Sequence, residues 1–252
     1  MKYLNPNHLP FVTLCLGALG LTLHVDLLTL GVDSKGLLVT GSWMESLSWG
    51  CAGSMAVVLA LGIRSLDGIP KNERLFPASA AAALGNVPGA VGFGITAIRL
   101  LLDAGSPFHT AAAISGFAAA LCLVALAFCR WKGQKISLLA RLPVILFLAL
   151  FSLSQYRGWS AATQTMEYAF PMLATVFLIL TSYHRPALEV RLHGRKSYVF
   201  CNLAALFFSM LAIPHAPLFY LPMAVWMASD ICSLRVMTKR VTPRQEDAPE
   251  ED

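Results

Sequence analysis

Two ionisable residues, His24 and Asp26, interrupt an apolar stretch of the chain, LTLHVDLLTLGVD at residues 21–33. Histidine exchanges a proton near neutral pH. An ionisable group in hydrocarbon costs at least about 2.5 kcal/mol, so such residues mark either a site or the end of a span. On a helix the two side chains point about 160° apart, so they form no local pair. We expect His24 to face other helices as a candidate functional residue, and Asp26 to mark the membrane boundary.

Most other ionisable residues near apolar stretches fall on the side of the membrane where His24 and Asp26 lie. The candidate outer-face polar site that they define consists of His24, Asp26, Arg99, Asp103, Arg157 and Glu167, and His109 and His215 fall on the same side. Arg99 and Asp103 can pair on one helix face, which contributes about 0.2–0.5 kcal/mol. Glu167 opens a predicted helix, where a carboxylate suits the helix dipole. These residues either line an outward-facing cavity or meet headgroups and water at helix ends.

Asp230 is the main exception, because it falls toward the inner face of the last predicted span. A carboxylate there can reach the membrane interface. It can also pair with Arg235 or another arginine of the inner face. Either arrangement is structural and requires no activity.

The third apolar stretch, FPASAAAALGNVPGAVGFGITAIRLLL at residues 76–102, is unusually rich in small residues. Ala81, Gly85 and Gly89 recur every four positions, a pattern that lets helices approach closely. Asn86 and Pro88 predict a kink or a break in the middle of the span. Secondary transporters place substrate sites at broken helices. The candidate helix-break site therefore comprises Gly85, Asn86, Pro88 and Gly89, although such helices are also ordinary packing elements.

The composition identifies the elements that must position these residues. Of 252 residues, 56% are hydrophobic and 13% are charged, and the charged share is about half that of soluble domains. The apolar stretches are continuous and long enough for helices that cross a core of about 30 Å. Transmembrane barrels would need alternating segments of about ten residues. The sequence therefore predicts an all-α integral membrane protein.

We expect a single bundle over residues 1–234 with about eight transmembrane helices. The predicted spans are 10–30, 47–63, 76–102, 109–129, 138–156, 166–183, 198–213 and 217–234. Pro214 and Pro217 should mark a tight hairpin between the last two spans. The acidic, proline-containing segment 235–252 is expected to be a disordered cytoplasmic tail.

The distribution of basic residues predicts the orientation. If the N-terminus is cytoplasmic, sixteen of the nineteen lysines and arginines fall in inner segments and two in outer loops. This positive-inside pattern predicts that both termini are cytoplasmic and supports eight spans. It also explains the net charge of +5 without a nucleic-acid partner. The basic inner loops would attract anionic lipid headgroups.

The motif search assigns no catalytic chemistry. The chain has no P-loop, G-x-S-x-G, H-E-x-x-H or G-x-G-x-x-G pattern, and no two of its six cysteines form a C-x-x-C. We therefore predict no metal and no cofactor, and favour a role other than catalysis.

Three hypotheses for the function stay open. The first is small-solute transport, or a membrane subunit of a transport or sensing system in the cell membrane. The second is an outer-face membrane enzyme in which His24, Glu167 and Arg99 act on an amphipathic substrate. The third is a non-catalytic helical scaffold for other membrane proteins. The expected partners are the lipid bilayer and, for some of these roles, other membrane proteins or a separate energising subunit.

Overall fold

The described part of the chain is entirely helical. The computed structural model describes residues 8–31, 43–64, 66, 78–103, 107–134, 138–159, 168–189 and 194–234. Within these ranges the chain forms eight α-helices and no strand: α1 Leu9–Leu30, α2 Trp43–Arg64, α3 Ala80–Leu102, α4 Pro107–Lys132, α5 Leu142–Trp159, α6 Ala169–Glu189, α7 Arg195–Leu211 and α8 Pro217–Cys232. A 3₁₀ turn, Leu138–Arg141, leads into α5. The predicted all-helical class is confirmed for these residues.

Four of the described helices are long and apolar enough to cross a membrane, namely α1, α2, α3 and α4. They contain 22 to 26 residues, and about 20 helical residues span a hydrocarbon core. Their outer surfaces carry large exposed apolar side chains, such as Leu84, Leu121 and Val57. Such exposed apolar surface suits a lipid environment, as expected of helices that could cross a membrane.

The predicted helix boundaries differ most from the structure at α6 and α7. The sequence predicted spans at 166–183 and 198–213 with Arg185 and Arg195 in the loop between them. In the structure α6 continues through Pro186 to Glu189, and Arg195 begins α7. Both arginines are buried. The prediction was wrong here because packing of the last turn of α6 in the bundle outweighs the helix-breaking tendency of proline.

The helix α3 is continuous from Ala80 to Leu102, so the predicted break does not occur. Pro88 cannot donate a backbone hydrogen bond to the preceding turn. Gly85, Gly89 and Gly92, on both sides of Pro88, pack directly against α8, where they face Ser229, Trp226 and Pro222 in that order. This contact holds the two halves of α3 together, and the small residues serve as a packing face.

Contacts between helices set their relative directions. Gly85 faces Ser229 while Gly92 faces Pro222, so α3 and α8 are antiparallel. The thiol of Cys51 donates to the carbonyl of Leu16 over 3.4 Å, joining α2 to α1. The helix α7 packs against α1, α2, α6 and α8, and most of its side chains are buried. Thus α7 is a central helix that other helices shield.

The antiparallel pair α7 and α8 defines two ends of the bundle. His215 lies in the turn that joins them, and we call this the histidine end. Asp230 lies near the other end of α8, beside the start of α7, and we call this the aspartate end. At a rise of about 1.5 Å per residue, the two ends are about 22 Å apart.

Candidate functional site

The histidine end contains a pair of imidazoles, the buried His24 and the half-buried His215. The Nε2 atoms of His24 in α1 and His215 are 3.0 Å apart, so one ring donates a hydrogen bond to the other. The edge of Phe170 packs on His24 with ring centroids 5.1 Å apart, and Tyr168 lies beside His215. Burial lowers the pKa of His215 to about 4. His215 is therefore neutral near neutral pH, and the two rings are joined by a hydrogen bond in which one nitrogen donates and the other accepts.

The aspartate end contains a buried ion pair between Arg185 of α6 and Oδ2 of Asp230 of α8. The hydroxyl of Tyr198 donates to the same carboxylate oxygen over 2.9 Å. The amide nitrogen of Asn202, one turn along α7, donates to the Tyr198 hydroxyl over 3.4 Å. Three helices thus meet through one carboxylate, and all four side chains are buried.

A second buried arginine is connected to Asp230 through its backbone. Arg130 of α4 donates to the hydroxyl of Ser233, and this hydroxyl donates over 2.7 Å to the backbone carbonyl of Asp230. Asp230 is therefore linked to α6 and α7 through its side chain and to α4 through its backbone.

Polar side chains continue between the two ends along the faces that α6, α7 and α8 share. On α7, Tyr198, Asn202 and Ser209 fall within about 40° of one another around the helix axis. On α6, Thr175 and Ser182 fall within about 20° of each other. All five side chains are buried.

The register of the helices brings these residues together in successive layers. Tyr198 contacts Asp230, and Asn202 contacts Met227, so the antiparallel register places Ser209 level with Tyr220. The hydroxyls of Thr175 and Tyr220 are 3.4 Å apart at this level.

We define the polar track as the series of polar side chains that results from this register, all of them buried except the half-buried His215. From one end to the other, it comprises His24, His215, Thr175, Tyr220, Ser209, Ser182, Asn202, Tyr198, Asp230 and Arg185.

Several oxygen atoms on the polar track have no hydrogen-bond partner. Among the described residues these are Oγ of Ser182, Oγ of Ser209, Oδ1 of Asn202 and Oδ1 of Asp230. The side chains are at most 3% exposed. Native proteins leave few buried polar atoms unsatisfied, and such atoms commonly bind water or a functional ligand. Such atoms also occur away from the track, at Oγ of Ser48 and Oγ1 of Thr181, so what distinguishes the track is the alignment of these atoms between its two ends.

The structure does not bring the predicted outer-face residues together. His24 is buried, at 1% exposed, whereas Asp26, Arg99, Asp103 and Arg157 are exposed. Between the described side chains of Arg99 and Asp103 no ion pair forms, and instead the backbone N–H of Asp103 donates to the carbonyl of Arg99. The guanidinium of Arg157 lies 5.7 Å from the ring centroid of Phe108.

Other predicted residues lie outside the polar track or outside the described residues. Asn86 is buried within α3, and Pro88 is half-buried beside it. Gly85 and Gly89 are packing contacts with α8. Glu167, Arg235 and the segment 235–252 lie outside the described residues. Asp230 does pair with an arginine, as the sequence allowed, and that partner is Arg185.

Sequence reasoning did not select His215, Arg185, Tyr198 or Asn202 as site residues. The spacing of Tyr198, Asn202 and Ser209 on one face of a helix was an available signal. The pairing of His24 with His215 was not, because 191 positions separate them and only the packing of α1 on α7 joins them.

The described residues define the class of the protein, an all-helical bundle with four helices that could cross a membrane and with an ionisable pair at each end. No group of three or more metal-ligating side chains occurs in the part of the chain that the structure describes. No family model, curated protein or solved structure matches this chain.

Proposed function

We propose that this chain is an eight-span membrane protein for small-solute transport in which protons themselves cross the bilayer along the polar track. The observation that carries the proposal is the polar track, in which buried ionisable groups at each end are joined by buried oxygens without partners. Ionisable residues inside membrane helices typically mark ion or proton pathways.

The proposed orientation places the aspartate end in the cytoplasm, together with both termini. Basic side chains gather at this end, including Arg64, Arg130, Lys132, Arg141 and Arg195. Positive charge is enriched on the cytoplasmic side of membrane proteins. The histidine end would then face outward, and the alternating directions of the helices agree with eight spans.

Asp230 is the proposed coupling residue. As a carboxylate it holds Arg185 and Tyr198, and α6, α7 and α8 are joined through it. When Asp230 takes up a proton, the ion pair is lost, and breaking a buried pair costs about 3–5 kcal/mol. A free-energy change of this size is enough to shift two packed arrangements of helices from one to the other. Proton binding would thereby change which end of the polar track is open to water.

A flux measurement tests the proposal. Liposomes that contain the full chain and a trapped pH-sensitive dye are loaded with potassium, and valinomycin sets an inside-negative potential. We expect protons to enter faster than in protein-free liposomes. Asp230→Asn, which cannot ionise, should reduce entry to the protein-free rate.

Asp26→Asn is the matched control, because Asp26 is exposed on α1 and lies outside the polar track. It should keep the wild-type rate. Ser209→Val removes a hydroxyl of the polar track without changing charge. It tests the proposal independently if the Asp230→Asn protein does not fold. The proposal is wrong if protons enter wild-type and protein-free liposomes at the same rate. It is also wrong if the Asp230→Asn and Ser209→Val proteins are well folded and both keep the wild-type rate of proton entry.

The membrane-enzyme hypothesis has less support. It required His24 and Arg99 to act together, but Arg99 is exposed on α3, whereas His24 is buried against His215 and Phe170.

A further inference from the structure

A second feature lies away from the polar track, on the outer surface of α3 and α4. It is an apolar groove of about 450 Å³, lined by Ala80, Ala83, Leu84, Val87, Val124, Ala127, Phe128 and Trp131. The volume falls in the range of about 300–1,000 Å³ that is common for ligand sites. Ala83 and Ala127 are buried in the groove, whereas the larger side chains of Leu84, Val124 and Phe128 beside them are exposed.

The groove faces the environment of the helices. Leu84 is 69% exposed, and Val124 and Phe128 are 54% and 50% exposed. Both helices are among those able to span a membrane. In a bilayer the surrounding medium at this depth is hydrocarbon, so the occupant that fits the groove is an acyl chain.

The groove ends at a basic rim. Trp131 lines its last part, and the next residue, Lys132, places its Nζ 4.4 Å from the ring centroid of Phe128. Gly133, with φ +67°, then turns the chain so that the end of α4 lies against Ala78, just before α3. Tryptophan and lysine are typical of the membrane interface, where headgroups lie.

The charge that the structure describes at this rim is positive, because Lys132 is exposed there. Near a membrane surface each basic residue attracts an anionic lipid with about 1 kcal/mol. The groove and its rim are therefore complementary to an apolar chain that ends in a negative headgroup.

We infer that this groove binds one acyl chain of an anionic phospholipid from the leaflet at the aspartate end, with the lipid phosphate beside Lys132. The inference does not depend on the proposed transport function.

Lipid retention measured by native mass spectrometry tests this inference. The full chain, purified in detergent, is titrated with phosphatidylglycerol and separately with phosphatidylcholine of the same acyl chains. We expect one phosphatidylglycerol to be retained in preference to phosphatidylcholine. Lys132→Gln should lower that preference about fivefold, which corresponds to about 1 kcal/mol. Ala80→Trp, which fills the groove from an exposed position, should abolish retention of both lipids at this site.

Two matched variants serve as controls. Lys196→Gln removes an exposed basic residue at the same end of the bundle, and Leu121→Trp enlarges an exposed residue of α4 that does not line the groove. Both should retain phosphatidylglycerol as the wild type does. Equal retention of the two lipids by the wild type overturns the headgroup assignment. The assignment of the site is wrong if Ala80→Trp still retains phosphatidylglycerol. It is also wrong if Lys196→Gln lowers the preference for phosphatidylglycerol as much as Lys132→Gln does.

Discussion

Replacement of Gly85 by alanine should destabilise the bundle, although alanine is the better helix former. Gly85 lies where α3 crosses α8, and a Cβ there would overlap both the Oγ and the Cβ of Ser229. Ser229 cannot move these atoms aside without a shift of the α8 backbone. Overpacking of this kind costs about 1–3 kcal/mol, and we take the upper value because the overlap is with two atoms close to the backbone. Alanine recovers about 1 kcal/mol of helix propensity, so we expect a net loss of about 2 kcal/mol.

Thermal unfolding of the detergent-solubilised protein, followed by tryptophan fluorescence, measures this loss. For a chain of this size about 2 kcal/mol lowers Tm by roughly 4–8 °C. Gly94→Ala is the matched control on the same helix, since nothing lies within 4 Å of its added Cβ. It should raise Tm slightly through helix propensity alone. Adding Ser229→Gly to Gly85→Ala should restore most of the loss, and equal Tm values for Gly85→Ala and Gly94→Ala would refute the packing argument.

Three further outcomes follow from the described contacts. Arg185→Met should cost about 3–5 kcal/mol in chemical unfolding because it leaves the Asp230 carboxylate buried without its cation, and adding Asp230→Leu should recover part of that loss. Folding stability measured against pH should fall as the pH drops from 6.5 toward 4, with His215 contributing at most about 3 kcal/mol, because unfolded His215 binds a proton in that range and the folded form does not. The same titration on His215→Phe should show a smaller fall, since the contribution of the buried His24 remains. Arg99→Gln should leave Tm within about 2 °C of wild type, since Arg99 is exposed; a larger drop would show that it has a structural partner.

The general architecture was predictable because it depends on local sequence. Continuous apolar stretches and their spacing indicated the helices, and the 3.6-residue period correctly separated the buried His24 from the exposed Asp26. The small residues of α3 were recognised as a close-packing face, although the sequence alone could not show that α8 was the partner.

The candidate site was much less predictable because long-range packing assembles it. His24 meets His215 only because α1 packs on α7, and Arg185 meets Asp230 only because α6 and α8 pack together. Arg185 also carries the signature of a cytoplasmic loop, a basic residue directly before a proline. Its position in the sequence therefore predicted a basic residue of a cytoplasmic loop, whereas in the structure Arg185 is buried within α6.

Water access along the polar track tests the central claim most directly. In a background with all six native cysteines replaced, Ser182→Cys, Ser209→Cys and Leu203→Cys are treated in proteoliposomes with a small, water-soluble thiol reagent. All three positions are buried, but Leu203 lies on another face of α7. We expect the cysteines at 182 and 209 to react clearly faster than the cysteine at 203. Equal, slow reaction at all three positions would contradict a path through the bundle.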